Sequence, residues 1–251
     1  MTLRIGDETV PLQLSNGRDV LEVRAAKKLP RSMVTRVTGI VRRMFCLDDD
    51  YGTFYAAIAR DPQLAWATAG AGRMLRSPTV FEDVVKTLCT TNCAWSGTQR
   101  MIAALVAQAG GAFPTPARMA ELPSRFYRDV ARAGYRGAYL RDLAGDVASG
   151  RLDLERLLPA GGLRDDEVRE RLLSIDGIGP YAAAHVMMLL GRHGSLILDS
   201  WTRPTYLRRS GSKRASDRTI ERRFARFGAF AGLAFWLFLT HDWLEEEGGN
   251  L

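Results

Sequence analysis

From Pro30 onward the chain reads as one helix-periodic segment after another, and strand-like alternation is confined to the residues before it. Apolar residues recur at helical spacing across roughly 31–46, 50–60, 78–93, 96–110, 116–121, 124–133, 137–149, 153–158, 165–175, 180–192, 200–209 and 217–245. Short polar or Gly/Pro breaks separate these segments: SPT at 77–79, GGAFPTP at 110–116, LPAGGL at 158–163. In the first 24 residues Val10, Leu12 and Leu14 alternate, Asn16-Gly17 is a hairpin turn pair, and Val20-Leu21-Val23 follow. No strand-helix alternation suited to a parallel sheet is present. The pattern predicts a mainly α fold with a short N-terminal β-hairpin, a segment 1–30 followed by an all-α body over 31–251. With 251 residues, 46% of them apolar, the chain is long enough for one domain or two closely packed lobes.

The formal net charge of +7 becomes informative once it is located. Nine basic residues fall between Arg203 and Arg226 (203, 208, 209, 213, 214, 218, 222, 223, 226) and only Asp217 and Glu221 oppose them, so this window carries 9 − 2 = +7. The rest of the chain sums to zero. Such concentration suggests a face for a polyanion, although a solvated helix face gives the same pattern. Three cysteines are too few for a disulfide framework and point to a reducing compartment. The N-terminus lacks the basic start and apolar core of a signal peptide. The longest apolar stretch, Phe227–Thr240, is 14 residues and suits a buried helix rather than a bilayer span. A cytoplasmic protein without membrane contact, nucleoid-associated if bacterial, is expected.

Residues 164–209 carry the functional argument. Asp165 or Asp166 is placed to cap a helix with Val168, Leu172 and Ile175 on its apolar side. That helix stops at Asp176-Gly177, and Pro180 opens the next. The unit is therefore helix, tight Gly-Ile-Gly turn, helix, expected over 165–192. Its glycines allow close approach, and the second helix aims unpaired N–H groups at an anion such as a backbone phosphate. Gly177-x-Gly179-x-x-Ala182 with Asp199 further on also matches a dinucleotide-binding fingerprint. That fingerprint requires an apolar strand before the first glycine, and the charged, helix-periodic DDEVRERLLSI stands there instead.

LLSIDGIGPYAAAHVM followed by ILDSWTRP resembles the signature of the helix-hairpin-helix DNA glycosylase superfamily: a Gly-hydrophobic-Gly hairpin, then an aspartate some twenty residues later. SPTVFEDVVKTLCTTNCAW and AGYRGAYLRDLA resemble upstream helices of its 3-methyladenine DNA glycosylase II and 8-oxoguanine DNA glycosylase members. The match runs in order over about residues 40–245. The resemblance implies a two-lobed helix-hairpin-helix fold that acts on damaged bases in double-stranded DNA, here expected as a monomer.

It further implies that Asp199 is the catalytic group. Breaking a C1′–N bond builds oxocarbenium character on the sugar, which a carboxylate beside C1′ stabilises. Asp199 is also placed to cap the helix that follows it. Bifunctional members carry a nucleophilic lysine two residues after the second hairpin glycine; Tyr181 stands there, so base release without strand cleavage is expected. Tyr181, His185 and Trp236 are the expected base pocket, with Trp236 and Trp243 read otherwise as core. Gly177, Gly179, Tyr181, Arg203, Arg208 and Arg209 are expected at the DNA. Asn92 and Tyr135 resemble residues that fill the gap left by a flipped nucleotide, and Arg136 one that reads the orphaned base; Cys93 and Ala94 depart from that pattern. The resemblance implies an alkali cation, Na+ or K+, on the carbonyls of Leu173, Ile175 and Ile178. With no cysteine beyond Cys93, no iron–sulfur cluster is expected. Cys89 and Cys93, one helical turn apart, read as small core thiols. The leading substrate is an N-alkylated purine. An oxidised purine such as 8-oxoguanine, another modified base, or a non-catalytic DNA-structure binder are the alternatives.

Overall fold

The computed structural model describes residues 1–18 and 20–247, with side chains through Trp243. The chain divides into two compact units. The first comprises residues 1–47, 76–155 and 175–177. It opens with a three-stranded antiparallel sheet in the order β1 (Thr2–Ile5), β2 (Glu8–Gly17), β3 (Val20–Ala25). Leu3, Ile5, Val10 and Leu12 point to one face by two-residue alternation and pack on Val37 and Val41 of α1 (Arg31–Met44). The sheet thus has one strand more than the expected hairpin, because four residues of β1 are too few to show alternation. Asn16 and Gly17 pair with Leu21 and Val20 inside the ladder and do not form the turn tip. Gly17 is needed there for room: a Cβ would lie 2.9 Å from Val20 Cγ2.

α3 (Val80–Thr90) begins at Thr79, whose hydroxyl accepts from the Glu82 N–H. Asp83, buried in its first turn, accepts from the Ser77 N–H at 2.7 Å and from Arg43 at 3.2 Å. α4 (Trp95–Gln108), α5 (Pro116–Ala120) and α6 (Arg136–Ala148) complete this unit, with a short π-helix at Phe126–Val130. Gly137 of α6 lies so near Tyr127 that a Cβ would fall 2.8 Å from the tyrosine Cβ.

The second unit comprises residues 48–75, 156–174 and 178–251. It contains α2 (Gly52–Ile58), α7 (Asp165–Leu173), α8 (Pro180–Leu189), α9 (Thr202–Ser210), α10 (Asp217–Phe224) and α11 (Ala231–Glu247). Its core is aromatic, with Phe54, Tyr206, Phe224, Phe235 and Phe238 buried together. Arg164, not Asp165 or Asp166, precedes α7; the acids lie in its first turn, where they meet the helix's positive end. Glu167 reaches back to accept the Arg164 N–H at 2.9 Å, and Asp165 pairs with the buried Arg192.

The expected single helix over 217–245 is two helices joined by a 3-10 stretch. Gly228 breaks it at φ 53°, ψ −124°, a conformation that L side chains rarely adopt. The break swings α11 so that the His193 carbonyl accepts from the Gly232 and Leu233 N–H groups at 2.8 and 3.2 Å. The stretch Asp217–Trp243 is long and apolar enough to cross a membrane, but most of it packs as core of this unit.

Candidate active site

α7 and α8 pack on one another and are joined by Asp176-Gly177-Ile178-Gly179. Gly177 takes φ +85°, the left-handed region, which lets the chain reverse within four residues. Gly179 caps α8 and Pro180 occupies its first position. The N–H groups of the first turn of α8 have no acceptor within the helix, so this end is fitted to receive an anion.

Asp199 follows Leu196-Ile197-Leu198, a segment anchored by the buried Ile197. Its Oδ1 accepts from the Trp201 N–H at 2.9 Å and from the Thr202 N–H at 2.7 Å. The Asp199 N–H donates in turn to Thr202 Oγ1 at 2.8 Å. These bonds fix a half-buried carboxylate through one oxygen. Helix α9 starts at Thr202 with Trp201 at its N-cap, so Asp199 accepts from the N–H groups at the very start of this helix and is oriented by them.

A run of aromatic rings stands beside this carboxylate. Tyr181 and His185, one turn apart on α8, have ring centroids 5.6 Å apart, and His185 meets Trp236 of α11 edge-on at 6.2 Å. Trp236 contacts Trp201 at 5.8 Å, and both contact Trp243, at 6.1 and 5.6 Å. Burial pushes the His185 pKa down, offset in part by the Asp199 charge, which keeps the imidazole neutral at neutral pH. Its Nδ1 is buried with no hydrogen-bond partner among the described residues.

Two members of this aromatic wall were missed by sequence reasoning. Trp243, expected in the core, is 49% exposed, and Trp201 is 39% exposed. Trp201 carried a signal, an aromatic two residues after Asp199, but linear order does not show which rings α11 brings to it. A cavity of about 670 Å³ opens on the Tyr181 side of α8 and is lined by Arg169, Ser195, Arg203, Asp217 and Glu221. Neither Asp199 nor His185 lines it.

In the first unit, Asn92 takes a left-handed φ of 43° after the end of α3. Its Nδ2 donates to the hydroxyl of Tyr135, which is 55% exposed, at 3.3 Å. The structure thus brings Asn92 and Tyr135 together on the surface. Arg136 is tied to the backbone beneath this pair. It is 7% exposed, donates to the carbonyls of Thr91, Asn92 and Ala133, and lies 4.5 Å from the Tyr135 ring centroid. Its donors hold the Asn92 turn, which leaves its guanidinium facing the protein. Cys93 packs against Gly97, and burial pushes the Cys89 thiol up to about 12, as core thiols behave. Among the described residues no cluster of three or more His, Cys, Asp or Glu side chains is placed to hold a metal ion.

The basic window is less free than its count suggests. Arg203 forms a two-point pair with Asp217 at 2.8 and 2.9 Å, and Arg209, largely buried, pairs with Asp242. Arg223 donates to Gln63 at 2.6 Å and Arg226 to Asp61 at 2.5 Å. Arg208, Lys213, Arg214, Arg218 and Arg222 are exposed.

No protein-family model matches the chain. Over 209 residues it is 25% identical to a curated protein of Methanothermobacter thermautotrophicus named "Probable N-glycosylase/DNA lyase", covering 71% of this chain. The chain spans only 64% of the length of that relative. Among solved structures it resembles the Clostridium acetobutylicum 8-oxoguanine glycosylase/lyase in complex with double-stranded DNA, with a TM-score of 0.72 and 24% identity over 97% of this chain and 83% of that one. It also resembles the 3-methyladenine DNA glycosylase of Archaeoglobus fulgidus, with a TM-score of 0.73 and 19% identity over 97% of this chain and 87% of that one.

Proposed function

We propose, for a chain whose fold is that of the helix-hairpin-helix DNA glycosylases, that it is a monofunctional DNA N-glycosylase acting on an N-alkylated purine. The observation that carries this reading is the juxtaposition of Asp199, fixed through Oδ1, with the Tyr181–His185–Trp236–Trp201 wall. Duplex DNA would be held through phosphates at the first turn of α8 and at exposed arginines such as Arg208. The damaged nucleotide would rotate out of the stack, which is cheapest for a weakened pair. Asn92 and Tyr135 would fill the gap it leaves.

As the C1′–N bond breaks, its electron pair leaves with the base, and Asp199 stabilises the positive sugar. Water supplies the new bond to C1′ and gives up a proton, and an abasic site remains. A purine alkylated at N3 or N7 carries positive charge, and electron-rich rings attract it. The neutral His185 adds no repulsion to it. A lyase step of the hairpin-lysine kind needs an amine at C1′. Tyr181 stands at the hairpin position, and of the four lysines only Lys213 belongs to the unit that holds Asp199. An alkali cation would sit on the carbonyls of Leu173, Ile175 and Ile178 and add positive charge near a phosphate. Leu173 ends α7, where carbonyls lack intrahelical partners and suit a hard cation.

A second reading, excision of an oxidised purine such as 8-oxoguanine, draws on the Asn92–Tyr135 pair at the surface. The test of catalysis itself is Asp199→Asn. Base release is expected to collapse while affinity for a duplex with an abasic site persists. An unchanged release rate would overturn Asp199 as the catalytic group, whereas binding without base release by the wild-type protein would leave a non-catalytic DNA-structure binder as the reading.

A further inference from the structure

Within the first unit, a continuous set of contacts joins the hairpin turn to Asn92. Gly177 lies against the half-buried ring of Tyr139: a Cβ there would fall 2.6 Å from Cδ2 and 3.2 Å from Cε2. Tyr139 sits one turn along α6 from Tyr135, so both rings share a face, and their centroids are 5.9 Å apart at 72°. Tyr135 accepts from Asn92, and Arg136 grips the carbonyls of Thr91 and Asn92 from beneath. Two aromatic rings link Gly177 to Tyr135, and the Arg136 guanidinium beneath Asn92 is buried and held by three backbone carbonyls.

We propose that Tyr139 is a positioning residue that locks the register between the Gly177 turn and the Tyr135–Asn92 projection. This rests on the glycosylase reading above. The turn meets a phosphate and the projection meets the duplex interior, and both must engage at once for a nucleotide to leave the stack. Tyr139 sets their spacing because Gly177 leaves no side chain between turn and ring. The aromatic plane is what matters, since a ring of this size fills the space beneath the turn.

The test pairs two assays on the full chain. One follows 2-aminopurine fluorescence opposite an abasic-site analogue in a duplex, and the other single-turnover base release from an alkylated duplex. Tyr139→Leu is expected to lower the fluorescence rise and slow release about 10- to 100-fold, the scale of an ångström-sized misplacement. Melting temperature and duplex Kd should change little, and Tyr139→Phe should behave as wild type. Tyr139→Trp, which overfills the space beneath Gly177, should give the same loss and serves if the leucine variant does not fold. Gly177→Ala alone should also impair both readouts, and combined with Tyr139→Leu should cost less than the two losses added, because the methyl then meets no ring. Wild-type fluorescence and rate in Tyr139→Leu, or strictly additive losses, overturn the positioning role alone. A wild-type protein that releases no base from any lesion overturns the glycosylase reading, and this role with it.

Discussion

Asp199 and Thr202 hold each other by reciprocal hydrogen bonds: the Asp199 N–H donates to Thr202 Oγ1 at 2.8 Å, and the Thr202 N–H donates to Asp199 Oδ1 at 2.7 Å. Thr202 is wholly buried, so its hydroxyl has little choice of partner. Thr202→Ala should therefore cost about 1–2 kcal/mol of stability, as loss of a capping hydroxyl does. It should also slow base release by re-aiming the carboxylate. Thr202→Ser should restore both. Chemical denaturation and single-turnover kinetics on the same three proteins check this; a Thr202→Ala enzyme with an unchanged rate would mean that the cap does not orient Asp199.

His185 makes stability depend on pH in a definite direction. Its folded pKa lies below the ordinary histidine value, so between the two values the unfolded chain binds a proton that the folded chain refuses. Stability is then greatest above about pH 6.5 and falls as pH drops through that value. His185→Phe should flatten this part of the profile. Denaturation midpoints between pH 5 and 8 measure it, and parallel profiles for the two proteins would contradict the assignment.

The arginines of the 203–226 window should separate into two classes. Neutralising the exposed Arg208 and Arg222 should flatten the dependence of log affinity on log salt by about one unit per lost phosphate contact, with little change in melting. Arg209→Gln should instead lower stability, because it leaves Asp242 without its partner and removes a guanidinium packed 5.5 Å from the Phe238 ring centroid. Equal salt slopes for all three variants and wild type would remove this face from the DNA interface.

Gly232 is a strict steric requirement. A Cβ there would lie 2.1 Å from the Ser195 carbonyl oxygen, which is backbone and cannot step aside. Gly232→Ala is expected to cost several kcal/mol and to lower the yield of folded protein. A melting temperature within a degree or two of wild type would show that the Gly194–Ser195 segment yields more readily than its packing suggests.

The sequence disclosed what depends on local pattern. Helix periodicity marked nearly every helix, and the Gly-Ile-Gly turn with Pro180 foretold the hairpin between α7 and α8. What it hid depends on side chains meeting across the chain. Arg136 looks like a surface reader in one dimension, and only the fold shows the Thr91 and Asn92 carbonyls that claim its donors. The break at Gly228 is invisible to apolar spacing, because the pattern on either side continues at helical period. Counting charges in the 203–226 window likewise says nothing of Asp61, Gln63 and Asp242, which come from elsewhere in the chain to occupy Arg226, Arg223 and Arg209. The aromatic wall needed α11 to bring Trp236 and Trp243 to Trp201.

Base excision by this protein is read by incubating it with labelled duplexes containing 7-methylguanine, 1,N6-ethenoadenine, 8-oxoguanine or uracil, each analysed with and without hot alkali. Strand breaks are expected only after alkali, and first on an alkylated purine. Breaks without alkali would contradict the monofunctional assignment, since Tyr181 supplies no amine; no breaks on any duplex despite tight binding would contradict glycosylase activity itself.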